Sequence, residues 1–173
     1  MANLMLKEFR CLIETDEIGD DSPYFVIFVG HAGSPKFSDV KRIRDPQWDN
    51  NVSSGQLVTN INATIAGGVD LNTLVLVALL EEDNNPDIAG ATLTNVKNWM
   101  NSVYNAFWAS GTASVTQLEA NLKPQFSSAI HANLPNDDVV AIARLKVTTM
   151  SGNIPLLYLT GDGGQYRVRF TMA

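Results

Sequence analysis

Apolar residues follow two rhythms along this chain, and the change between them divides it into three stretches. Up to about residue 82, and again from about 138, β-branched, aromatic and alternating residues cluster between turn formers, as strands require. The clusters predict eight strands, at roughly 3–13, 24–30, 36–44, 55–66, 73–82, 138–149, 154–160 and 165–172. In "YRVRF", Tyr166, Val168 and Phe170 share one face while Arg167 and Arg169 share the other, the pattern of a half-solvated antiparallel strand. "TLVLVALL" is apolar throughout and predicts a central strand covered on both faces.

Between residues 92 and 134 the period becomes helical. Leu93, Val96, Met100, Val103, Tyr104 and Phe107 recur at three- and four-residue steps, giving one apolar stripe. Gly111 stands where that helix should stop. Ser114 and Gln117 form a capping-box pattern that opens a second helix, which buries Leu118, Leu122, Phe126 and Ile130. Pro124 removes a backbone donor inside it and is expected to kink or split it. Trp99 and Trp108 read as core or helix-to-sheet packing, and residues 45–54 as a long loop. Strands, then a helical pair, then strands predict a mainly β (α+β) fold. The expectation is an antiparallel eight-stranded β-sandwich with a two-helix insertion at about 92–134, one domain over residues 1–173.

Composition narrows the classes. With 173 residues, 45% of them hydrophobic and 17% charged, the chain is long and apolar enough for one ordered core. A net charge of −6 without a Lys/Arg-rich run argues against a nucleic-acid partner. Cys11 is the single cysteine, so no disulfide forms within the chain, and its apolar neighbours place it in the core. "MANLMLKEFR" lacks the features of a signal peptide, and no stretch approaches the roughly 20 apolar residues of a membrane-spanning helix. Synthesis in the cytoplasm is therefore expected, with any release by a leaderless route.

The charge is sorted. Four stretches hold twelve of the eighteen acidic residues: Glu14, Asp16, Glu17, Asp20 and Asp21; Glu81, Glu82, Asp83 and Asp87; Asp137 and Asp138; and Asp162. No Lys or Arg interrupts any of them. Mutual repulsion makes such crowding costly unless something cationic answers it. If the eight strands alternate in direction and the helical pair begins and ends at one pole, all four stretches reach the same end of the sandwich. That parity depends on 36–44 being a strand.

Carboxylates and amide oxygens converging from several loops suit calcium, which takes six to eight oxygen ligands in flexible geometry. The candidate ligands are Asp16, Glu17, Asp20, Asp21, Asp83, Asn85, Asp87, Asp137, Asp138 and Asp162. Asp83, Asn85 and Asp87 alternate as calcium-loop ligands do, but no EF-hand follows: its sixth position is Ile88 and its twelfth Thr94. Asp, Asn, Gly and Pro are also ordinary turn formers, so each stretch has a purely structural reading too.

"CLIETDEIGDDSPYFVIFV" resembles the opening of bacterial C2-like domains, and "LVALLEEDNNPDIAG", "LPNDDVVAIARLKV" and "LTGDGGQYRVRF" look like later segments of that family. The likeness spans most of the chain apart from roughly 31–70. It implies a β-sandwich with calcium at one end, with Asp16, Asp21, Asp83, Asp87, Asp137 and Asp138 as ligands. C2 domains proper lack the helical pair. Their basic lipid-binding patch has no clear counterpart, Lys41, Arg42 and Arg44 being the only clustered cations.

No catalytic motif stands out. There is no G-x-S-x-G elbow and no H-E-x-x-H, and His31 and His131 are isolated in sequence, His31 in a turn-like "GHAGS" and His131 at a helix end. The leading expectation is a calcium-binding module that recognises a glycan, a lipid headgroup or a protein surface through its ion. The alternatives are a structural or assembly subunit whose calcium only steadies loops, and a carboxylate-based hydrolase.

Overall fold

The computed structural model of the protein describes residues 2–14, 22–33, 36–44, 52–82, 90–109, 114–135 and 137–173. Its elements are β1 (Ala2–Ile13), β2 (Pro23–His31), β3 (Ser38–Ile43), β4 (Leu57–Val58), β5 (Ala63–Val69), β6 (Thr73–Glu82), α1 (Gly90–Ala109), α2 (Val115–Asn133), β7 (Asp137–Leu145), β8 (Gly152–Asn153), β9 (Leu157–Gly161) and β10 (Gly164–Met172). They form three layers. One sheet runs β3-β2-β6-β7; the other is built around β1 and β10, with β4 and β5 on β1 and β8 and β9 on β10. Every pairing is antiparallel.

The two apolar strands β2 and β6 explain the layering. Alternation sends Phe25, Ile27 and Val29 of β2, with Val75, Val77 and Leu79 of β6, toward Leu4, Leu6, Phe9, Val168 and Phe170 of the facing sheet. The intervening Tyr24, Val26 and Phe28, with Leu76, Ala78 and Leu80, point the other way and meet Val96, Met100 and Tyr104 of α1 and Leu122 and Phe126 of α2. A strand buried on both faces has no polar side, which is why both read as unbroken apolar runs. The helical pair is thus a layer over the second face of a central sheet, not an appendage to a finished sandwich.

The expected elements are present, with four corrections. The single strand expected at 55–66 is two, β4 and β5, because Asn60 and Asn62 between them take the left-handed conformation (φ 60° and 49°) that interrupts a ladder. The strand expected at 154–160 begins only at Leu157, after Pro155, which has no N–H to give to a ladder; the short β8 precedes it. The strand expected at 138–149 ends at Leu145. The fourth correction concerns Pro124, which neither splits nor ends α2. Leu122 and Phe126 flank it and are fully buried. Burying two such side chains is worth about 1.5–3 kcal/mol each, enough to offset the ~3 kcal/mol cost of an interior proline. The Ser114–Gln117 capping box forms in full. Cys11 is buried. Gly111 and most of the 45–54 loop lie outside the described residues.

Candidate functional site: an acidic end with its own cations

β3 is a strand, and the antiparallel ladders give the strand directions that the parity argument needs. Pro23 opens β2 opposite Glu81, which stands opposite Asp138, while Glu82 stands opposite Asp137. In the facing sheet Ile13 lies opposite Gln165, beside the tight β9–β10 hairpin. That hairpin turns through Asp162 and Gly163, both with positive φ (48° and 75°), which is the backbone that an Asp-Gly pair favours in a two-residue turn.

Gly161 fixes the two sheets against each other here. A Cβ at Gly161 would lie 1.9 Å from the backbone oxygen of Val140 in β7. Only glycine permits that approach, and it brings the hairpin alongside the start of β7. Asp137, Asp138 and Asp162 consequently line one cleft of about 470 Å³, together with His131, Leu134, Pro135 and Val139. These are three of the ten candidate ligands. Asp16, Glu17, Asp20, Asp21, Asp83, Asn85 and Asp87 lie outside the described residues.

Several of the described acids at this end already have partners. Tyr24 donates its hydroxyl to Asp137 Oδ2 at 2.6 Å. Burial, then this bond to the carboxylate, push the Tyr24 phenol far above its ordinary value, so it stays protonated and donating. The Arg42 guanidinium lies 5.2 Å from the centre of the Tyr24 ring. Arg44 forms an ion pair with the buried Glu82. Glu14 exchanges bonds with Ser54: its carboxylate accepts from the Ser54 N–H (2.9 Å), and its own N–H donates to Ser54 Oγ (3.0 Å). The sequence shows no cation within the acidic stretches, but β3 runs antiparallel to β2 and delivers Arg42 and Arg44 to the end where β2 begins. The signal was the "KRIR" run read together with strand direction. Among the described residues, no three His, Cys, Asp or Glu side chains are grouped closely enough to hold a metal ion.

The opposite pole holds a pair that sequence reasoning missed. His31 is not in a turn; it is the last residue of β2, buried, and its Nε2 lies 3.0 Å from both carboxylate oxygens of Asp70. Its Nδ1 accepts the Gly33 N–H at 3.1 Å, so the ring proton sits on Nε2 and is donated to Asp70. The ring stacks on Phe37, with centroids 5.4 Å apart. Burial alone would raise Asp70, but the His31 donor, the Asn72 N–H and the Thr73 hydroxyl outweigh it and hold the carboxyl below its usual range. Both ring nitrogens are occupied, leaving none to take a substrate proton. His131 is exposed at the end of α2, its Nδ1 2.8 Å from the Ser127 carbonyl oxygen. Trp99, expected in the core or in helix-to-sheet packing, keeps 38% of its surface exposed, whereas Trp108 is half-buried against the helical core.

No protein-family model matches the chain, and no curated protein matches it. No helix among the described residues is long and apolar enough to cross a membrane.

Proposed function

We propose that this protein is a calcium-binding recognition module with a C2-like sandwich, which holds its ion at the acidic end and recognises a glycan, a lipid headgroup or a protein surface through it. One observation carries the reading: Asp137 and Asp138 from one sheet and Asp162 from the other line the same cleft. Carboxylate oxygens brought to one cleft from two sheets are of the hard donor type that calcium selects. One oxygen of Asp137 is committed to Tyr24, so the described residues supply only part of a coordination sphere. In this reading Asp16, Glu17, Asp20, Asp21, Asp83, Asn85 and Asp87 are the sources of the remaining oxygens.

A calcium titration followed by thermal unfolding tests it. With a dissociation constant of ~10⁻⁵ M, 1 mM free calcium stabilises the folded form by ~2.7 kcal/mol. Asp138→Asn with Asp162→Asn, or Asp16→Asn with Asp83→Asn, should erase that gain, and Asp49→Asn should not. An unchanged melting temperature at 1 mM calcium rejects the ion.

A second reading has its own support. The Arg44–Glu82 pair and the Tyr24–Asp137 bond already tie this end together. In that reading the protein is a structural or assembly subunit whose calcium only steadies loops. Calcium then raises the melting temperature without conferring binding to any glycan or lipid on an array, and Arg44→Ala lowers the melting temperature, because Glu82 is left buried without this cation.

A further inference from the structure

The helical layer carries another concave surface, a groove of about 460 Å³ between α1 and α2. α1 turns Val96, Met100 and Tyr104 into the core, which leaves Asn95, Asn98, Trp99 and Ser102 along the groove. Asn133 of α2 faces them, and Val103 and Ala132 complete the lining. No charged side chain is among these residues, although the chain as a whole carries a net charge of −6.

Two of the polar groups are set in place. Trp99 donates its indole N–H to Gln125 Oε1 at 3.3 Å, which orients a ring that remains 38% exposed. Asn133 donates its Nδ2 to the Ala129 carbonyl at 2.8 Å, leaving its side-chain oxygen to accept from a ligand. Holding such groups before binding lowers the ordering cost of association.

This chemistry selects one class of ligand. A pyranose ring has an apolar C–H face and a rim of hydroxyls that both donate and accept. An exposed indole covers the first, and side-chain amides, each carrying donors and an acceptor, satisfy the second. An ionic ligand would find no counter-charge here, and a purely apolar one would strand the amides without partners. We propose that the groove between α1 and α2 binds a neutral oligosaccharide, with Trp99 as the stacking platform and Asn95, Asn98 and Asn133 as the hydroxyl-reading groups. The groove shares no lining residue with the neighbouring acidic cleft and does not need its ion.

Titration of the ¹⁵N-labelled full chain with cellohexaose, maltohexaose and chitohexaose, each in chelator, tests this by NMR. At least one sugar should shift the Trp99 indole and Ser102 amide resonances saturably, with a dissociation constant of about 1 mM or below. Trp99→Ala should weaken that binding roughly tenfold, read at Ser102, and Asn98→Ala about threefold to tenfold. Asp138→Asn should leave it unchanged. No saturable shift with any of the three sugars up to about 10 mM overturns the assignment, as does an affinity that Trp99→Ala leaves intact. Binding that appears only when calcium is restored also overturns it, assigning the sugar to the acidic end instead. If Trp99→Ala does not fold, Asn98→Ala decides by the same criterion.

Discussion

His31 shows how one side chain can be misjudged when only its neighbours in sequence are visible. Its partner Asp70 is 39 residues away, and the two meet because His31 ends β2 where Thr73 begins β6. The pair closes the pole opposite the acidic end, and the Tyr104 hydroxyl adds a bond of 2.7 Å to the His31 carbonyl. Asp70→Ala should cost about 1.5–3 kcal/mol at neutral pH, since it removes a charged acceptor from three donors. The folded-state carboxyl lies below its ordinary 3.8, so its contribution is complete above that value and fades as pH falls through the lower folded-state one. Urea unfolding at about pH 6 and about pH 3 should therefore show the gap between wild type and variant closing in acid. A gap that holds constant would mean the carboxylate charge is irrelevant here.

At the scale of elements, two positions separate local preference from tertiary demand. Pro124 breaks the helical ladder of α2 yet lies inside it, exposed, between buried anchors. Pro124→Ala restores an N–H to the turn, so chemical unfolding should show a gain of about 1–3 kcal/mol, reduced by the greater freedom of the unfolded chain. A loss of stability would mean the proline is fitted to its place. Gly161 is the reverse case. Its φ is unremarkable, and nothing in "LTGDGG" distinguishes it from its neighbours, but the Val140 carbonyl occupies the space of any side chain. Gly161→Ala should destabilise by about 3 kcal/mol or more, because backbone must move to admit the methyl group. It should also disturb the cleft shared by Asp138 and Asp162, visible as shifted amide resonances at both. A neutral effect would show that the two sheets are not held together at this point.

For the whole molecule, the helical pair is the question. If it were an insertion, removing it would leave a sandwich able to fold. The outer faces of β2 and β6 argue otherwise: Tyr24, Val26, Phe28, Leu76, Ala78 and Leu80 are all buried beneath the helices. Replacing residues 90–134 with a short Gly/Ser linker would expose that whole apolar face, an area prone to association. The shortened chain should aggregate or unfold without a cooperative transition in calorimetry. A soluble product with a sharp transition would restore the insertion view. The same layering bears on the acidic end, since α2 brings His131 and the residues after it to the cleft beside Asp137, Asp138 and Asp162.

The chain's own order of residues determined which segments become strands and helices, because apolar period and capping chemistry act over a few neighbours. Ser114 with Gln117, the alternation of Tyr166 to Phe170 and the unbroken run of β6 all carry that local instruction. It also determined that acid collects at strand ends, as Asp137, Asp138 and Asp162 do. Tertiary structure alone decided what meets that acid. The approach of Arg44 to Glu82, of Tyr24 to Asp137 and of Gly161 to Val140 depends on which strands lie side by side and in what register. Those facts arise only when two faces of one sheet are buried at once. Charge can be counted along a chain, but whether it is answered by a protein cation is a matter of distance, and distance across a fold is set by packing.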